Sequence, residues 1–171
     1  ANALSKCLTT DTEGVYNLYN KQCVKCSRAR ALFDHAIGRE DLGHISCVYF
    51  VKAAMECAGI PVPQAPNAYK WYAAYDGRKG FRTIPNGTIP PQPGDIIVFT
   101  GGPVSSACEN NGCGHVGIVK KFDEGNAKLT YFNANTKRLI SHVNYENGRF
   151  GLEGSSYEVV GFIRPIIGGG D

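Results

Sequence analysis

A cysteine and a histidine are the residues of this sequence whose types and settings favour nucleophilic chemistry. Cys47 follows Ser46, a good N-cap, at the start of residues 46–58, whose composition predicts a helix. A helix N-terminus and a nearby imidazole both lower a cysteine pKa and so favour the nucleophilic thiolate. His115 opens a predicted strand over 115–122, and residues 116–119 that follow it are apolar, so a polar ring there requires a partner. We therefore predict that His115 is the general base for Cys47, with a third polar group holding the imidazole.

The third polar group is expected at the end of the following strand. Residues 123–126 form a tight turn that joins the strand of His115 to a strand over 128–133. Pairing about this turn brings Asn133 or Asn135 beside His115, and both asparagines point to the same face. The sequence leaves open which of the two orients the ring.

The order of the elements predicts an α+β domain in which N-terminal helices pack on an antiparallel sheet. Apolar residues at helical spacing, followed by β-branched runs, predict helices over 12–37, 46–58 and 67–75 and strands over 95–100, 115–122, 128–133, 139–144 and 158–164. We expect one compact domain: a helical lead-in over 1–43, a catalytic core over 44–165 and a flexible tail over 166–171.

Composition excludes several classes of function. The chain has 171 residues, a net charge of +3 and 19% charged residues, so it lacks the basic surface of a nucleic-acid-binding protein. No apolar run reaches the roughly 18 residues of a membrane span. We expect a monomer whose chemistry needs no metal and no cofactor.

Seven cysteines are many for this length, and the odd number leaves one thiol outside any set of disulfides. Three disulfides with Cys47 as the remaining thiol predict a secreted or periplasmic protein. The disulfide candidates are Cys7, Cys23, Cys26, Cys57, Cys108 and Cys113, and we expect Cys108 and Cys113 to pair. The alternatives for this set are a redox pair at Cys23 and Cys26, or a zinc site formed with Cys108 and Cys113.

Five stretches in a fixed order carry a family resemblance, and together they span about residues 44–164. They are CVYFV (47–51), NAYKW (67–71), PQPGDIIVF (91–99), GHVGIV (114–119) and FNAN (132–135). The set resembles the CHAP domains of the NlpC/P60-like cysteine amidases and peptidases. The resemblance implies a papain-like fold and cleavage of an amide bond in peptidoglycan by a cysteine thiolate.

The resemblance assigns the nucleophile to Cys47, the base to His115 and the third position to Asn133. That third position is usually Glu in CHAP domains, with Asn two residues later, where this chain has Asn135. The residue before the cysteine is usually Gln, and Ser46 replaces it here, so the backbone N–H of Cys47 is the expected oxyanion donor.

Three further residues are candidates for the substrate groove. These are His44, Tyr69 and Trp71, and the alternative for Tyr69 and Trp71 is a place in the core.

These features predict a peptidoglycan amidase or endopeptidase. A secreted lytic or antibacterial effector is one setting for it, and a cognate immunity protein would then be a partner beside peptidoglycan itself. Two alternatives stay open: an inactive member that only binds wall peptides, and a disulfide or zinc protein built on Cys23 and Cys26.

Overall fold

The computed structural model describes residues 47–48, 51–52, 55, 68–101, 114–133, 140–151 and 157–165. The predicted helix over 12–37, the tail and the six disulfide candidates lie outside these residues. The packing of the predicted N-terminal helices on the sheet therefore stays a prediction.

Within the described residues, seven antiparallel strands form one sheet. The strands are β1 (Phe81–Pro85), β2 (Ile96–Gly101), β3 (His115–Asp123), β4 (Lys128–Phe132), β5 (Ile140–Glu146), β6 (Arg149–Gly151) and β7 (Tyr157–Pro165). Their order across the sheet is β1-β7-β2-β3-β4-β5-β6. The five predicted strands are confirmed as β2, β3, β4, β5 and β7, with bounds that differ by at most two residues.

The two edge strands, β1 and β6, were not predicted from the sequence. β1 ends in Pro85, which cannot donate to a ladder and so reads as loop, yet an edge strand tolerates it. β6 has only three residues and follows a turn in which Asn147 and Gly148 both have positive φ. Two such residues form the tight hairpin turn that an Asn-Gly pair favours, so this signal was present in the sequence.

The helical part of the described chain is short. A 3₁₀ turn, Ala68–Lys70, leads into an α-helix, Trp71–Tyr75, as predicted for 67–75. The turn contacts β2 and β3, and the helix contacts β1 and β7. The described residues of the predicted helix over 46–58 are helical as well. None of these residues belongs to a helix long and apolar enough to cross a membrane.

Asn86, directly after β1, ties the two edges of the sheet together. Its Nδ2 donates to the carbonyl oxygens of Phe150 in β6, at 2.9 Å, and Val159 in β7, at 3.0 Å. Its Oδ1 accepts from the N–H of Phe150 at 2.9 Å. Because β1 and β6 are the outermost strands, these bonds require the sheet to curl into a half-barrel around its apolar core.

Replacing Asn86 with alanine is expected to lower the free energy of unfolding by about 3 kcal/mol. The change removes three buried hydrogen bonds, each worth about 1 kcal/mol net. Urea unfolding measures the effect. The control is Asn126→Ala, which removes only the side-chain bond from Nδ2 to Asp123 in an exposed turn. A loss no larger than that of the control would contradict the role of Asn86.

Candidate functional site

Cys47 lies on the buried face of its helix. Cys47, Val51 and Met55 recur every four residues, and at most 1% of each is exposed. Cys47 is present as the thiol. The backbone N–H of Val116, the residue after His115, hydrogen-bonds to its sulfur, so the thiol meets the start of β3.

His115 and Asn133 form the central hydrogen bond of the site. His115 Nε2 and Asn133 Oδ1 are 2.8 Å apart, and Asn133 is fully buried. An amide oxygen can only accept, so Nε2 carries the proton and Nδ1 is the basic nitrogen of the neutral ring. Of the two predicted candidates the structure brings Asn133 to His115, whereas Asn135 lies outside the described residues.

Gly117 lets Asn133 reach the imidazole. Register places Phe132 opposite Ile118, so Asn133 lies across from Gly117 and diagonal to His115. A Cβ at Gly117 would lie 2.7 Å from the carbonyl oxygen of Phe132 and 3.4 Å from Cβ of Asn133. The missing side chain therefore leaves the diagonal path between Asn133 and His115 open.

Gly114 fixes the point at which β3 begins. Its φ is +72°, and its N–H donates to the carbonyl oxygen of Gly101 at 3.0 Å. A Cβ there would lie 2.8 Å from the backbone nitrogen of Tyr69 and would also overlap the carbonyl oxygen of Phe99. Only glycine combines this conformation with this close approach of three backbone segments.

Replacing Gly114 with alanine is expected to cost about 3–5 kcal/mol of unfolding free energy. The cost combines left-handed backbone strain with overpacking against main-chain atoms that cannot rotate away. Thermal or urea unfolding measures it. Gly151→Ala is the matched control, because a Cβ there has nothing within 4 Å. Equal stability of the two variants would contradict the steric argument.

Aromatic rings enclose the imidazole. The ring centroid of His115 lies 5.7 Å from that of Phe99 and 6.0 Å from that of Tyr157. Tyr157 is half-buried at the start of β7, opposite Gly101 of β2. Burial raises the pKa of Tyr157, and a negative charge on Cys47 would raise that pKa further, so this phenol lies within electrostatic range of the thiol.

Three residues near His115 and Asn133 were not predicted from the sequence as part of the site. They are Tyr131, Ser141 and Tyr157. Tyr131 lies two residues before Asn133 on the same predicted strand. Its side chain therefore points to the same face as Asn133, and the sequence could have predicted that Tyr131 is near the site. Ser141 and Tyr157 enter through the pairing of β5 with β4 and of β7 with β2, which no local pattern reveals.

Burial sets the protonation of the pair. Desolvation raises the pKa of Cys47 to about 12, against backbone hydrogen bonds that lower it. Desolvation lowers the pKa of His115 to about 4, against the bond to Asn133. The predicted lowering of the Cys47 pKa is therefore wrong for this buried thiol, since loss of hydration outweighs the backbone hydrogen bonds to the sulfur. The resting state is a neutral thiol beside a neutral imidazole.

The remaining predicted residues are less informative. Trp71 has no exposed surface, which favours the core alternative, and Tyr69 is half-buried. Ser46, His44 and all cysteines except Cys47 lie outside the described residues, and so do the redox and zinc alternatives. Within the part of the chain that is described, no three His, Cys, Asp or Glu side chains form a metal-binding group.

Asp95, directly before β2, has a structural role. Its carboxylate accepts from the N–H of Gln92 at 2.8 Å and caps that turn. Arg164 of β7 donates to both carboxylate oxygens, at 2.9 and 2.8 Å. Burial raises the pKa of Asp95 while Arg164 opposes the rise. The pair anchors the turn before β2 to β7, and Asp is a residue that commonly caps turns through its carboxylate.

Comparison with protein families places this chain in a known group. Residues 14–135 match the family model described as CHAP domain, and this range contains Cys47, His115 and Asn133. It begins inside the predicted lead-in and ends before β5. No curated protein and no solved structure matches the chain. Since the match covers well over half of its residues, the chain belongs to the CHAP domain family, whose members are generally hydrolase domains associated with peptidoglycan.

Proposed function

We propose that this chain hydrolyses an amide bond in the peptide part of bacterial peptidoglycan, with Cys47 as nucleophile and His115 as base. The observation that carries the proposal is the 2.8 Å bond from His115 Nε2 to the buried Asn133. It leaves Nδ1 as the proton acceptor, and the N–H of Val116 holds the thiol beside the same strand. Membership of the CHAP family supports peptidoglycan as the substrate.

The reaction starts from the neutral pair. Nδ1 of His115 takes the thiol proton while the sulfur of Cys47 forms a bond to the carbonyl carbon. The backbone N–H of Cys47 is the proposed donor to the oxyanion. The imidazolium then gives its proton to the amine, which leaves as the C–N bond breaks, and a thioester remains. Water then attacks the thioester carbonyl carbon and gives one proton to Nδ1. The C–S bond breaks, the acid leaves, and Nδ1 returns its proton to the sulfur.

Because both groups are buried, the thiol proton of Cys47 moves to His115 only when the sulfur attacks the substrate. A thiol with a pKa near 12 and an imidazole with a pKa near 4 do not exchange a proton at rest. Charge separation becomes favourable only when the developing oxyanion is bound by the site. Asn133 orients the ring and carries no charge, so it offers the imidazolium less stabilisation than a carboxylate would.

Digestion of purified sacculi tests the proposal. Muropeptide masses are compared after incubation with the wild type and with Cys47→Ala. New fragments from the wild type alone would support a cysteine hydrolase, and their masses would separate an amidase from an endopeptidase. Fragments from both proteins would remove Cys47 from the mechanism.

A wall-peptide-binding member is the second candidate, and the raised pKa of Cys47 is the observation that favours it. This candidate predicts no fragments from either protein, together with wild-type protein that pellets with the sacculi. For the active enzyme we propose a secreted or periplasmic location. An antibacterial effector with a cognate immunity protein is one such setting.

A further inference from the structure

A line of neutral polar side chains continues from the site into the sheet. Asn133 Nδ2 donates to Ser141 Oγ at 3.0 Å. Ser141 lies on β5 directly opposite Tyr131 of β4, and its hydroxyl hydrogen-bonds to the phenol oxygen of Tyr131. Tyr131 is buried and Ser141 is half-buried. The donors therefore run in one direction from His115 to Asn133 and from Asn133 to Ser141, and the Ser141 hydroxyl joins this line to Tyr131.

The direction matters because an amide has two unlike ends. If Asn133 turned over, Nδ2 would face His115 Nε2, which would then have to accept a hydrogen bond. The ring proton would move to Nδ1, and the imidazole could no longer take the thiol proton. A carboxylate has two equivalent oxygens and raises no such problem. An asparagine at this position needs a partner on its far side that selects one orientation.

Ser141 and Tyr131 supply that selection. When the Ser141 hydroxyl donates to the phenol oxygen, Oγ presents a lone pair to Asn133, and a lone pair accepts only from Nδ2, as the 3.0 Å contact has it. We propose that Ser141, aligned by Tyr131, is a positioning residue that sets the Asn133 amide and thereby the tautomer of His115. The effect on rate rests on the proposed hydrolase function, whereas the effect on the tautomer does not.

Nitrogen-15 NMR of histidine-labelled protein at about pH 7 tests the tautomer without substrate. The signal of His115 is assigned by its loss in His115→Gln. The wild type and Ser141→Thr are expected to hold the proton on Nε2. Ser141→Ala and Tyr131→Phe are expected to show a mixture of the two tautomers. A single Nε2–H tautomer in both of the latter variants would overturn the proposal.

Kinetics on sacculi test the consequence for catalysis. Ser141→Ala is expected to lower kcat about 5- to 10-fold, the size of one net hydrogen bond, with KM unchanged. In an Asn133→Asp background the same change is expected to cost less than about twofold, since either carboxylate oxygen can accept from His115. Equal losses in the two backgrounds would indicate a merely structural role and overturn the proposal. If the wild type does not hydrolyse sacculi, the proposed function is refuted. The NMR result on the tautomer then decides whether Ser141 is a positioning residue.

Discussion

Replacing His115 with glutamine is expected to lower kcat/KM on sacculi by about 10³-fold. General-base catalysis by a positioned side chain contributes roughly 10²–10⁴-fold, and glutamine cannot accept the thiol proton. The thiol of Cys47 has a pKa near 12, so almost none of it ionises without a base at neutral pH. Loss of His115 therefore removes the proposed route to the nucleophile.

The matched control is His142→Gln, on the exposed side of β5. It is expected to keep wild-type kcat/KM, and thermal unfolding of both variants checks that the fold survives. Binding to sacculi is expected to persist in His115→Gln. Residual activity within about tenfold of the wild type would exclude His115 as the base.

The sequence predicts contacts between site residues that are close along the chain better than contacts between distant ones. His115 and Asn133 belong to one hairpin, so their proximity followed from the turn at 123–126 and the period of a strand. Cys47 was connected to His115 only by family resemblance and by the chemistry of the two side chains. Ser141 and Tyr157 were missed because their strands join the sheet through pairings that local pattern does not encode.

The edge strands and the Cys47 pKa show two other limits of prediction from the sequence. Pro85 concealed β1, since a proline is excluded from a central strand but not from an edge. The direction of the Cys47 pKa shift was mispredicted because a helix terminus is a local feature, whereas desolvation depends on everything packed around the sulfur. The described residues of the helix put Cys47, Val51 and Met55 on one buried face, and that face is what removes water from the thiol.

The neutral pair predicts an unusual dependence of Cys47 alkylation on pH. Only the thiolate reacts with iodoacetamide, and with a pKa near 12 the thiolate fraction rises about tenfold per pH unit. The rate at Cys47 is therefore expected to increase about 10³-fold between about pH 6 and about pH 9, without a plateau. Mass spectrometry of the peptide that contains Cys47 separates this signal from the other cysteines.

A thiolate–imidazolium pair would behave differently. Its alkylation rate would be nearly constant from about pH 5 to about pH 8, and such a plateau would contradict the neutral pair. The His115→Gln variant is expected to keep the steep rise, because burial rather than the imidazole sets the thiol pKa.

The pH dependence of hydrolysis is expected to follow the pKa of His115 rather than that of Cys47. The base must be neutral, and the pKa of His115 lies near 4, so kcat/KM is expected to hold at mildly acidic pH and to fall as the pH drops below about 4. An enzyme whose histidine titrated near its ordinary value of 6.5 would instead lose activity below that pH. Profiles of kcat/KM for the wild type between about pH 3.5 and about pH 8 distinguish the two cases. Asn133 has no titrating group, so it continues to orient the ring throughout this range, whereas a carboxylate there would itself take up a proton near the acid end.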